Sequence, residues 1–214
     1  MPALSIILGN KKYSSWSLRG WLAVKAAGVP FEETVIWMYK PDSRAEMLKH
    51  GPTGLVPVLK HGDITVWETL AICEYVAENF PAAKLWPDDA RAKAHCRSMA
   101  TEMHGGFLAL RQQMPMDLSR PAGKKDHDEA CGAAIERIAT LWREARGQFG
   151  QGGPYLYGRF SVADCMYAPV VYRFLTYGVS LDPVCMAYCE AMAAHPAMQE
   201  WKAAGVAETE VGPY

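Results

Sequence analysis

Leu55-Val56-Pro57-Val58-Leu59 and, one short hairpin later, Trp67-Glu68-Thr69-Leu70-Ala71 are the stretches on which the reading of this chain turns. A proline among β-branched residues cannot donate to a sheet ladder, so it belongs at the start of a strand. If the Val56-Pro57 bond is cis and held in a tight turn, the N–H and C=O of Val56 stay free to pair with an extended peptide. Glu68-Thr69 then opens an amphipathic segment. The start of such a helix takes a carboxylate through its backbone N–H groups and macrodipole, and Glu68 offers a partner for an ammonium. Together the two stretches suit a peptide backbone and an amino-acid zwitterion held side by side.

Working outward, Ser5 to Leu8 is a short apolar run that predicts a strand. Residues 17–27 carry Leu18, Trp21, Leu22 and Lys25 at helical spacing, with Gly28 as a stop. A second strand is predicted over 33–37 and a short helix over 43–49. A hairpin over 56–60 and 64–66 turns at His61-Gly62-Asp63, and a helix follows over 69–78. The order βαβ, helix, ββα makes a compact unit over residues 1–80, with the first crossover parallel and the last pair antiparallel. Phe80-Pro81 to Trp86-Pro87-Asp88-Asp89 is a proline-punctuated linker, after which strand signals vanish. Residues 90–114, 126–149, 162–177, 184–193 and 197–203 all predict helices, so residues 88–214 form an all-helical domain. The expected class is α/β + all-α.

Half of the 214 residues are hydrophobic and the net charge is −1, so real cores can form and nothing favours nucleic acid. The start, MPALSIILGN, lacks the basic and long apolar parts of a signal peptide, and no run approaches a membrane span. A cytoplasmic protein is expected. The six cysteines, Cys73, Cys96, Cys131, Cys165, Cys185 and Cys189, are scattered through helical segments. The Cys185/Cys189 spacing is helical, not that of a metal knuckle, so free thiols and no metal are expected.

The βαβ–ββα unit with Val56-Pro57 and Glu68-Thr69, followed by a helical domain, resembles a cytosolic glutathione S-transferase over essentially the whole chain. The resemblance implies a thioredoxin-like N-terminal domain that binds glutathione through Val56, Pro57, Glu68 and Thr69. The family more often has Ser where Thr69 stands. A third marker is Tyr157-Gly158-Arg159-Phe160-Ser161-Val162-Ala163-Asp164. There Ser161 and Asp164 make a capping box at the start of a central helix, with Phe160 as staple.

Tyr13-Ser14-Ser15-Trp16-Ser17-Leu18-Arg19 lies between the first strand and first helix, where ligands of open α/β units gather. A free thiol has a pKa of about 8.5, and lowering it by ~2 units takes about 2.7 kcal/mol. One charge-assisted hydrogen bond from a hydroxyl, helped by the helix dipole, is of that size. Ser14, Ser15 and Tyr13 all compete for the task, and a serine that merely caps the helix is the plain alternative. The segment is similar to the Ser-Ser-Cys-x-x-Arg motif of zeta-class transferases, placing the chain among bacterial zeta/theta-like members. That match implies Ser14 as thiol activator and Ser15 as a further glutathione contact. The motif's cysteine is Trp16 here, which disfavours thiol–disulfide chemistry by a protein cysteine. The arginine that zeta enzymes use for acidic substrates counts to Thr176, with Arg173 about one turn earlier. This counts against maleylacetoacetate isomerisation.

For the glycyl carboxylate of glutathione the cations Lys40, Arg44, Lys49 and His50 are available, and Lys40 is the choice. Met103, Phe107 and Arg111 step by four and, with Trp16, are expected to line the electrophile pocket. Such a stripe equally describes ordinary core. Gly105-Gly106 suggests a close helix approach, across a dimer. The resulting expectation is a glutathione transferase of detoxification type, a cytoplasmic homodimer that adds glutathione, as co-substrate, to a hydrophobic or electrophilic small molecule. The alternatives are a non-catalytic glutathione- or ligand-binding protein of the same fold and an isomerase of the maleylacetoacetate type.

Overall fold

The computed structural model describes residues 3–212. Strand β1 (Leu4–Gly9) is followed by α1 (Ser15–Ala26), β2 (Glu32–Ile36) and α2 (Ser43–Leu48). The hairpin β3 (Val58–His61) and β4 (Ile64–Val66) leads into α3 (Thr69–Asn79). The sheet order is β2-β1-β3-β4, with β1 parallel to β2 and antiparallel to β3, and β3 antiparallel to β4. This is the predicted βαβ–ββα unit. Side chains alternate along β1 as a strand requires. Ile7 joins Ile36, Met47 and Val58 in a small cluster beneath α2, while Ile6 and Leu8 enter the main core on the other face.

Helix α1 forms because Ser14 caps it and Leu18, Trp21 and Leu22 repeat on one side. Leu18 and Leu22 are almost wholly buried, contributing about 1.5–3 kcal/mol apiece. The helix ends where Gly28 takes the left-handed conformation, φ +69°.

After a 3-10 turn at Pro81–Ala83 the chain is helical: α4 (Ala90–Gly105), α5 (Leu108–Gln113), α6 (Glu129–Phe149), α7 (Val162–Thr176), α8 (Pro183–Ala194) and α9 (Pro196–Ala207). The one long helix expected over 90–114 is two. Gly106 is extended, φ −110° and ψ −170°, and Phe107 is left-handed, φ 60°. A Cβ on Gly106 would stand 2.7 Å from the Glu102 carbonyl oxygen, so only glycine permits the break. Among the described residues of this chain a Cβ on Gly105 would meet nothing within 4 Å. Helix α7 is buried on nearly every side from Val162 to Phe174, as its all-round apolar sequence demands. It touches α1, α4 and α8, and one continuous core runs through both halves of the molecule.

Candidate functional site

The β1–α1 loop is pinned at its base by Asn10, whose carbonyl accepts from the amides of Tyr13 (3.2 Å) and Ser14 (2.8 Å). Ser14 is the N-cap of α1: its Oγ accepts from the Ser17 amide at 3.3 Å and donates to Ser17 Oγ at 2.8 Å. Ser17 Oγ also accepts from the Gly9 amide at 2.9 Å. Ser14 also opens, with Tyr13, Ser15 and Trp16, onto a cavity of about 470 Å³, so the helix cap is at the same time the residue expected to serve as thiol donor. A hydroxyl has one proton and two lone pairs. If Ser17 turns its proton toward Ser14, the Ser14 proton is released to the cavity and neither oxygen loses a partner.

The cavity's far wall comes from the helical half: Leu108, Arg111 and Gln112 of α5, Pro115 and Met116 after it, and Arg173 of α7. Burial holds the Arg111 guanidinium below its ordinary pKa. Arg111 lies 4.7 Å from the centre of the Trp16 ring and Arg19 lies 4.3 Å from it. Arg19 is wholly buried and donates through Nε to the Met166 carbonyl of α7 at 2.7 Å. Burial, then the neighbouring charges of Arg173 and Arg111, push its pKa well down. Arg173 is anchored by Nε to the Met114 carbonyl at 2.7 Å. Thus two guanidinium groups, Arg111 and Arg173, line the cavity and a third, Arg19, lies buried against the Trp16 ring, a field that favours anions.

A second cavity of about 140 Å³ is lined by Thr53, Leu55, Val56, Pro57, Trp67, Glu68 and Thr69, and shares Trp16 with the first. The Val56-Pro57 bond is cis. Val56 lies beyond the last paired position of the sheet, Ile7 with Val58, as the sequence predicted for a residue that pairs elsewhere. Thr69 begins α3 and its hydroxyl donates to the Trp16 carbonyl at 3.2 Å, fastening the two loops together. The amides of the first turn of α3 have no helical partner. Glu68 Oε2 stands 3.4 Å from His104 Nε2 of α4, a neighbour that sequence reasoning assigned no binding role.

Ser14, Ser15, Trp16 and Arg111 thus share one cavity, and Val56, Pro57, Glu68 and Thr69 the other. Three expected site residues fall elsewhere. Lys40 lines neither cavity; its ammonium pairs with Glu210 at 3.0 Å. Met103 is fully buried in the core, and Phe107 packs against the core from the bend between α4 and α5. The break at Gly106 shifts the phase of the stripe, so Leu108 and Gln112 take the places expected of Met103 and Phe107. Sequence reasoning missed Met38 and Tyr39, and named Arg173 without giving it a place in the pocket. Thr176 does not line this cavity, whereas Arg173, one turn earlier, does so together with Arg111.

All six cysteines are buried free thiols, and burial pushes Cys73 up to about 12, far from a reactive thiolate. Among the described residues no group of three His, Cys, Asp or Glu side chains is placed to hold a metal, and no helix is long and apolar enough to cross a membrane.

The glutathione S-transferase N-terminal domain family matches residues 13–79, and the glutathione S-transferase C-terminal domain family matches residues 117–204. Glutathione S-transferase 1 of Dianthus caryophyllus is 38% identical over 178 residues, 78% of this chain and 75% of that protein. Maleylpyruvate isomerase of Ralstonia sp is 25% identical over 182 residues, 81% of this chain and 86% of that protein. A solved glutathione transferase homolog from Burkholderia GL BGR1, with bound glutathione, superposes with a TM-score of 0.71 at 21% identity, covering 95% of this chain and 98% of that one.

Proposed function

From the premise that this chain belongs to the glutathione S-transferase family, we propose how its two cavities divide the work of a glutathione transferase. The smaller one takes the peptide: Val56 pairs with the glutathione backbone, the first turn of α3 at Thr69 takes the γ-glutamyl carboxylate, and Glu68 takes its ammonium. The sulfur then crosses the Trp16 wall into the larger cavity. There Ser14 donates to the thiolate, with Ser15 beside it, and an electrophilic small molecule waits against α5 and α7. The observation that carries this reading is the shared wall, which sets the proposed peptide site and the Ser14 hydroxyl side by side. A cytoplasmic homodimer completes the proposal.

The test is the ultraviolet absorbance of bound thiolate. Glutathione added to the wild type at pH 7 is expected to give the thiolate band, and its absence sinks the catalytic reading. Glu68→Ala is expected to weaken glutathione binding about fivefold with little change in kcat at saturation, since Glu68 is partly exposed and such a pair is worth about 1 kcal/mol. Unchanged affinity would remove Glu68 from the site.

Arg111 and Arg173 favour a more particular reading, in which the electrophile carries a carboxylate. Thiolate addition to an unsaturated acid, rotation about the former double bond and expulsion of the thiolate would then make the enzyme an isomerase. For Arg111→Gln, KM for an anionic enoate is expected to rise about tenfold while KM for a neutral aryl halide stays put, the worth of one charge-assisted bond. Equal changes for both substrates would rule this out.

A further inference from the structure

The loop that delivers Ser14 makes none of its own backbone bonds at Lys11 and Lys12. The Lys11 amide donates to Glu208 Oε1 at 2.7 Å and the Lys12 amide to Glu208 Oε2 at 3.0 Å. The Lys11 carbonyl accepts from Trp201 Nε1 at 2.9 Å, and the Lys12 carbonyl from the Leu118 amide at 3.2 Å. All four groups end on the helical half of the molecule. Glu208 is the C-cap of α9, and its carbonyl oxygen also takes the Lys12 ammonium at 2.6 Å. Just past it, Glu210 pairs with Lys40, and Gly212 lies so close to Tyr13 and Tyr39 that a Cβ there would stand 2.9 and 3.0 Å from their rings.

We infer that Glu208 is a positioning residue for the thiol-activating hydroxyl: its carboxylate, straddling two successive amides, sets where the loop stands and hence where Ser14 points. Bonds to a carboxylate are shorter and stronger than neutral ones, and two from consecutive amides fix direction as well as distance. Trp201 and Leu118 are buried and also build the core, so Glu208 is the member of the clamp that can be altered without emptying it. The clamp serves the larger cavity and leaves the Val56–Glu68–Thr69 cavity untouched. It therefore acts on chemistry and spares the hold on glutathione.

This inference rests on the assignment of Ser14 above, and the test keeps the two apart. Four proteins are compared at pH 7: wild type, Ser14→Ala, Glu208→Ala and Glu208→Gln, the last the conservative variant that keeps one acceptor. Glu208→Ala is expected to lose about tenfold in kcat, with the fraction of bound glutathione present as thiolate falling in step and glutathione affinity changing less than twofold. Glu208→Gln should recover part of both losses. If Ser14→Ala loses the thiolate band while Glu208→Ala keeps it and its kcat, the clamp is refuted and the Ser14 assignment stands. If Glu208→Ala loses affinity as much as kcat, its role is general folding and the inference is equally refuted. If wild type shows no thiolate, the Ser14 assignment itself has failed.

Discussion

Ser14→Ala will still bind glutathione but lose about 2–2.7 kcal/mol of thiolate stabilisation, seen as a roughly thirty- to hundredfold fall in kcat and loss of the thiolate band at pH 7. The magnitude follows from one hydrogen bond to a charged sulfur, lost in a partly enclosed cavity. The same substitution removes the N-cap of α1, which costs about 1 kcal/mol of stability. The two effects separate with Ser14→Gly. Glycine is nearly as good an N-cap as serine, a few tenths of a kcal/mol worse, yet has no hydroxyl. Equal losses of activity in both variants, with Ser14→Gly close to wild type in urea midpoint, assign the loss to chemistry. If Ser14→Ala keeps the thiolate band, activation passes to Ser15 or Tyr13, which line the same cavity.

What the sequence shows of this site divides by the range of the contacts involved. Val56-Pro57 and Glu68-Thr69 were legible because each is a local statement: a proline at a strand start, and a polar pair at a helix start. The order of strands and helices was legible for the same reason, since periods of 2 and 3.6 are read within one element. The bend at Gly106 was not, although Gly105-Gly106 marked the place. Continuing the step of four through it put Met103 and Phe107 in a pocket that Leu108 and Gln112 occupy. The reach of Arg173 into the cavity was not legible either, because it depends on where α5 ends and on the anchoring of its Nε at Met114. Lys40 illustrates the limit most clearly. Its partner, Glu210, is distant in sequence, and no local pattern announces a tail that returns to the first loop.

Asp164→Ala is expected to unfold the protein about 3 kcal/mol more easily at pH 7.5, the other large effect. Asp164 is wholly buried; one carboxylate oxygen accepts from the Ser161 amide at 2.8 Å and hydroxyl at 2.7 Å, the other from the Leu156 amide at 3.1 Å. Removing it loosens the capping box at the start of α7 and leaves two buried amides without an acceptor, a loss of about 3 kcal/mol. Helix α7 carries the Met166 carbonyl that holds Arg19, and Arg173 itself, so the box supports the site from a distance. Burial also pushes the Asp164 carboxyl up to about 6, against the pull of its Ser161 and Leu156 bonds. An unfolded aspartate titrates near about 3.9, so the folded state binds the proton more tightly. The stability this contributes is fully present below about pH 4 and is lost as pH rises through 6. The gap between wild type and Asp164→Ala should therefore widen from pH 7.5 to pH 5, because other groups cancel in the difference. Urea unfolding of both proteins at the two pH values measures it. A gap that narrows on acidification would show the carboxyl to be held below its ordinary pKa, and a loss under about 1 kcal/mol would show the box to be dispensable.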